Sequence, residues 1–109
     1  MDSISALQQM IIKFRDERDW KQFHNAKDVA TSISIEASEL LELFLWKKSE
    51  DVNRERLAEE LADVLIGGLL LAFDQDLNVG QIIADKICKN AEKYPADKVR
   101  GKAKKYDEY

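Results

Sequence analysis

The stretch IEASELLELFLW at residues 35–46 and its counterpart EELADVLIGGLLLAF at residues 59–73 decide how this chain is read. Each is a predicted helix whose apolar run is interrupted by acids: Glu36 and Glu39 in the first, Glu60 and Asp63 in the second. A charged side chain is almost never fully buried unless it is paired or bound to a metal, so acids set among leucines call for a partner. The spacings ExxE and ExxD put two carboxylates one turn apart on one side of a helix, and two antiparallel helices bring four together. Such a group repels itself and holds protons tightly unless a cation neutralises it.

The flanking sequence supplies the rest of a helical protein. Apolar residues at Ile4, Leu7, Ile11 and Phe14 predict a helix to about Asp19, capped by Ser3 or Asp2. The connection WKQFHN follows, and its Trp20, Phe23 and His24 either staple the loop to the core or line a pocket. Asn25 is a candidate cap for a second helix reaching to about Trp46, with Val29, Ile33, Ala37, Leu40 and Phe44 on its core stripe. Glu36 sits at the edge of that stripe, whereas Glu42 points to the opposite side. After KKSEDVN, Asp51 or Asn53 can cap a third helix to about Asp76, with Leu57, Leu61, Leu65 and Ala72 inward.

Beyond Asp63 this third helix is apolar all round, which four short helices cannot bury without a neighbouring subunit. A homodimer or homotetramer is therefore expected, with Leu69, Leu70, Leu71 and Phe73 at the interface. Gly67 and Gly68 cost about 1 kcal/mol each in a helix relative to alanine, so something should compensate. Gly67 shares the stripe of Glu60 and Asp63 and leaves room above them, or else Gly68 allows close helix packing.

Asn78 caps a fourth helix at residues 79–93, ended by Tyr94 and Pro95, in which Ile83, Ile87 and Ala91 can face the core. Lys86, Asn90 and Lys93 stack along an adjacent face. Residues 96–109 form a basic tail, with no acid after Arg100 until Asp107. The fold class is thus all-α, a single domain over residues 1–109 arranged as a four-helix bundle whose apolar central helix carries subunit association.

Composition agrees: 35% of the 109 residues are charged and 45% hydrophobic, with four glycines and one proline, which suits helices rather than sheet or disorder. A formal net charge of −4 argues against nucleic acid as a partner. The longest apolar run spans ten residues, against about twenty for a membrane helix, so a soluble chain is expected. The first dozen residues lack a basic leader pattern, and Cys88, within a predicted helix, reads as a reduced core residue; both point to the cytoplasm.

Ligand type selects the metal. Hard carboxylate oxygens suit magnesium, with manganese as a substitute, and leave positions for water and substrate phosphates. Di-iron bundles use a Glu-x-x-His pattern, and His24, the sole histidine, lies outside any such motif. Zinc lacks its thiolate or imidazole cluster here. No glycine-rich phosphate cradle is present, so the metal and lysines would meet phosphate charge.

ExxE at Glu36 and Glu39 followed by ExxD at Glu60 and Asp63 resembles the signature of the MazG-type all-α nucleotide pyrophosphohydrolases. RDERDWKQFH, ELLELFLWK, EELADVLI and the KxxxNxxKYP segment from Lys86 to Pro95 resemble the short branch that includes the dCTP pyrophosphatases. Arg100-Gly101 and Lys105-Tyr106 in the tail are similar too.

The resemblance implies magnesium-dependent cleavage of a (deoxy)nucleoside triphosphate, dCTP or a related dNTP, to monophosphate and pyrophosphate in nucleotide-pool house-cleaning. It implies Glu36, Glu39, Glu60 and Asp63 as metal ligands, with Glu36 or Glu39 also the catalytic base. Trp20, His24 and Trp46 match the nucleoside pocket, and Lys86, Asn90, Lys93 and Tyr94 the segment that meets the phosphates. Gly67 departs from the dCTP-specific relatives, which carry tyrosine there, and suggests a roomier site that accepts purines. Other readings are a phosphoribosyl-ATP pyrophosphohydrolase or dUTPase, a non-catalytic helical oligomer binding a nucleotide or protein, and a purely structural bundle.

Overall fold

Four asparagine or serine side chains set where the main helices begin. The computed structural model describes residues 3–103, within which α1 spans Ile4–Glu17, α2 Ala26–Glu42, α3 Arg54–Asp74, α4 Val79–Lys93 and a short α5 Ala96–Val99. Ser3 Oγ accepts from the Ala6 amide at 3.1 Å, Asn25 Oδ1 from Asp28 at 2.9 Å, Asn53 Oδ1 from Arg56 at 3.0 Å and Asn78 Oδ1 from Gln81 at 2.8 Å. Each contact satisfies an amide that the first turn leaves without an intrahelical partner. Among the described residues there is no strand, and no helix is long and apolar enough to cross a membrane.

The C-termini close differently. α1 and α3 both end through a residue in the left-handed region, Asp19 at φ 53° and Asp76 at φ 55°. The next amide then reaches back five residues, Trp20 to Arg15 O at 3.2 Å and Leu77 to Ala72 O at 2.8 Å, the closure of a Schellman motif. α2 stops at Glu42, four residues short of the expected end, because a series of three-residue turns replaces the helical ladder from Leu43 onward. Trp46, at φ 63°, belongs to that turn and not to the helix. The connections hold two short 3-10 turns, Lys21–Phe23 and Ser49–Asp51.

The chain forms two compact units, the first ending at Leu77 and the second beginning at Asn78. In the first, α2 runs antiparallel along α3, Ile33 lying against Gly67 and Glu36 beside Glu60 and Asp63. α1 lies on α3, fastened by Gln8 Nε2 donating to Leu69 O at 3.0 Å. The buried apolar residues fall into two groups, Val29, Leu70 and Ala72 at one end of the α2–α3 pair and Leu43 and Val52 at the other. The acids occupy the stretch between them.

Several expected core positions are exposed. Leu61 and Leu65 on α3, at 43% and 57%, and Ile83 and Ile87 on α4, at 51% and 62%, are exposed, as is Ala37. Leu70, expected at an interface, is buried within the single chain, while Phe73 is exposed. Cys88, expected in the core, is exposed and has no disulfide partner. The alternative cap Asp2 and the tail residues from Lys104, including Lys105-Tyr106, lie outside the described residues.

Candidate metal centre

Glu36 on α2 and Glu60 and Asp63 on α3 each bring a carboxylate oxygen within 4.8 Å of the other two. The helical spacing of Glu60 and Asp63 puts both on the side of α3 that faces α2, and antiparallel packing delivers Glu36 opposite them. Oε2 of Glu36 and Oε2 of Glu60 are both shielded from solvent and have no hydrogen-bond partner. A buried acceptor without a donor costs desolvation with nothing in return, which is the condition a bound cation relieves.

Desolvation raises Glu36 above its ordinary value of 4.5, and its neighbour Glu39, by proton sharing and by repulsion, then Asp63 and Glu60 push it the same way. Glu60 is raised likewise, by desolvation first and then by the charges of Glu39 and Asp63, with only Arg56, one turn earlier on α3, opposing. Glu39 therefore bears on both acids, yet lies outside the three whose oxygens converge. The donor set fits a hard divalent cation: oxygen ligands only, and two of them orphaned.

A cleft of about 380 Å³ opens beside this cluster, with Glu36 and Asp63 at one end. Its walls come from all three helices of the unit: Ile11, Phe14 and Arg15 of α1, Asp28, Val29, Ser32 and Ile33 of α2, Ile66, Gly67 and Leu70 of α3. The turn after α1 adds Trp20, Phe23 and His24, so the aromatics of WKQFHN line a pocket, the second of the two roles open to them. Trp20 meets Phe14 edge to face, ring centroids 5.8 Å apart at 71°, and Arg18 lies 3.6 Å over the Phe14 ring. This stack braces the aromatic wall. His24 Nδ1 is buried without a partner.

The feature that pattern reading missed is Arg15. It is 3% exposed, and its Nη1 donates to both carboxylate oxygens of Asp74 at 2.9 and 2.8 Å, tying the end of α1 to the end of α3 behind the cleft. RDERDW carries five charges in six residues and reads as solvent-facing, with nothing local to single out the one that points inward. Asp74 lies 59 residues away, so only the tertiary contact identifies its partner.

The other expected site residues are not among the three converging acids or the residues lining the cleft. Trp46 is 100% exposed and outside the cleft. Lys86, Asn90 and Lys93 lie on one face of α4 in the second unit, where the Tyr94 amide donates to Asn90 O at 2.8 Å. At Gly67 the space left by the absent side chain is taken up: a Cβ there would lie 2.7 Å from Ile33 Cγ1. Close packing thus falls at Gly67, whereas a Cβ at Gly68 would meet nothing within 4 Å, the reverse of the packing role expected of Gly68.

Three acids converge at the head of an aromatic cleft in an all-α fold, a group that could hold a metal ion. The chain belongs to the MazG-like family, whose model matches residues 31–109. It is 33% identical to dCTP pyrophosphatase 1 of Mus musculus over 95% of this chain and 66% of that protein, and 35% identical to the Bos taurus protein over the same shares. The human protein of that name is 33% identical over 97% of this chain and 67% of its own length. The chain thus spans about two thirds of the length of these mammalian relatives. A crystal structure of a pyrophosphatase from Archaeoglobus fulgidus DSM 4304 superposes with a TM-score of 0.78 at 39% identity, covering 84% of this chain and 91% of that one.

Proposed function

We propose that this protein is a magnesium-dependent nucleoside triphosphate pyrophosphohydrolase that cleaves a deoxynucleoside triphosphate, dCTP or a close relative, to the monophosphate and pyrophosphate. The observation that carries the reading is the pair of buried, partnerless oxygens on Glu36 and Glu60 beside Asp63, at the end of an aromatic cleft. The likeness to proteins named dCTP pyrophosphatase 1 and to an archaeal pyrophosphatase supports the reaction class.

In this reading Glu36, Glu60 and Asp63 hold magnesium, which when bound supplies charge neutralisation and polarisation at the phosphates. Glu39, next to the cluster but outside its closest set, accepts the proton of the attacking water. Trp20, Phe14 and Phe23 enclose the base and exclude water from it, and His24 orients the nucleoside. Lys86, Asn90, Lys93 and Tyr94 meet the phosphates. Trp46 completes the cleft of a neighbouring subunit in a dimer or tetramer: a wholly exposed tryptophan on a left-handed backbone carries two unfavourable features at once, a combination kept where function requires it. The work is removal of unwanted nucleotides in the cytoplasm.

The experiment is a panel of dCTP, dATP, dGTP and dUTP with magnesium, resolving monophosphate plus pyrophosphate from diphosphate plus phosphate. Release of pyrophosphate from at least one deoxynucleotide, lost on chelation, is expected. Diphosphate and phosphate as products, or turnover indifferent to chelation, would overturn the reading.

A further inference from the structure

We propose that Gly67 and Ile33 are a matched positioning pair that sets the α2–α3 spacing at which Glu36, Glu60 and Asp63 share one divalent cation. The proposal rests on the reading of those three acids as cation ligands. A Cβ at position 67 would lie 2.7 Å from Ile33 Cγ1 and 3.6 Å from its Cδ1, and real Cβ atoms essentially never approach closer than 3.0 Å. Cγ1 is bonded directly to the branched carbon, and a helical isoleucine is held near a single χ1 rotamer, so it cannot swing away as a long side-chain end does. A methyl group at 67 is admitted only by moving one helix against the other.

The contact lies where such movement matters. Ile33 precedes Glu36 by three residues and Gly67 follows Asp63 by four, so the pair sits one helical turn from the acids on both elements. Close-packed helices transmit a shift rather than absorb it, and metal–oxygen distances tolerate only about 0.2 Å of error. Glycine is also disfavoured inside a helix, so its presence at 67 requires a compensating contact. Gly68 supplies the control, because it has the same helical setting and no atom within 4 Å of its missing Cβ.

The test measures Mn²⁺ affinity of the nucleotide-free protein by calorimetry or by the spin signal of the free ion, for wild type, Gly67→Ala, Gly68→Ala, Ile33→Ala and Gly67→Ala with Ile33→Ala. Gly67→Ala is expected to weaken Mn²⁺ about tenfold or more, and Gly68→Ala to leave it unchanged. The double variant, which removes Cγ1, should return to within about threefold of wild type. Wild-type affinity in Gly67→Ala, or a double variant as weak as the single one, overturns the pairing. Should Gly67→Ala not fold, the double variant decides: folded and binding supports the pairing, folded without binding sinks it. A wild-type protein that binds no Mn²⁺ removes the cation reading and the pairing with it, whereas binding by wild type with an indifferent Gly67→Ala removes the pairing alone.

Discussion

Glu36 and Glu60 illustrate how a cost at single residues becomes a functional property. Both are raised above 4.5 in the cation-free fold, so the folded chain keeps protons that the unfolded chain has released. Their contribution to stability is complete below pH 4.5 and is lost as pH rises through the folded values. The cation-free protein should melt higher near pH 5 than near pH 7.5 by differential scanning fluorimetry. Saturating magnesium should narrow that gap, and Glu36→Gln with Glu60→Gln should remove the part due to these acids. Glu60→Gln alone relieves repulsion, so its cation-free melting temperature should rise, while kcat/KM falls at least about a hundredfold through the lost ligand.

Arg15 and Asp74 make the opposite case, a charge pair whose two members are not equivalent. The guanidinium is 3% exposed and the carboxylate 21%. Asp74→Ala strands a buried cation and should cost about 3–5 kcal/mol, whereas Arg15→Met leaves a carboxylate that water can partly reach and should cost less. Urea denaturation of the two variants checks the order, and equal losses would contradict it. At Trp46, substitution by glycine relieves the left-handed backbone, so stability should hold or rise by up to about 1 kcal/mol. The KM for nucleotide should nevertheless increase if the exposed ring serves a neighbouring cleft, and an unchanged KM would count against that role.

At the level of elements, helix starts were legible because they are local events. Ser3, Asn25, Asn53 and Asn78 cap their helices where the residue types and the following turns indicate. Asn53→Ala should destabilise by about 1 kcal/mol, read as a lower urea midpoint with unchanged slope. Helix ends were less legible. α2 stops at Glu42 although LFLW continues the apolar pattern, because apolar periodicity marks burial and not backbone hydrogen bonding. The short α5 after Pro95 has no apolar stripe to signal it. Glu60 and Asp63 converge with Glu36 whereas Glu39 lies outside that set, because a turn of helix fixes spacing along one helix but not which side chains meet across two.

Across the whole molecule, several large apolar side chains are exposed in the single chain. Leu41 is 63% exposed, Leu65 57% and Ile35 53%, all in the first unit. For the dimer or tetramer proposed above, in which these side chains join a contiguous apolar interface, light scattering after size exclusion should return a mass above that of the 12.5 kDa chain. Leu65→Glu should shift it toward monomer and lower the melting temperature, and a monomeric wild type would contradict the proposal of a shared interface. Ile83 and Ile87 read as core from periodicity and are exposed in the single chain, since periodicity names an apolar face without saying which molecule covers it.

By itself the sequence determined the helical class, the four main helix starts, and the two acid-bearing helices, since each depends on residues within a turn or two of one another. Only the tertiary structure decided that Arg15 reaches Asp74, that Phe14 and Ile33 join Trp20 and His24 in one cleft, and that Ile33 fills the place of a side chain at Gly67. Those contacts join residues far apart in the chain, and their distances depend on how three helices pack rather than on the propensity of any one of them.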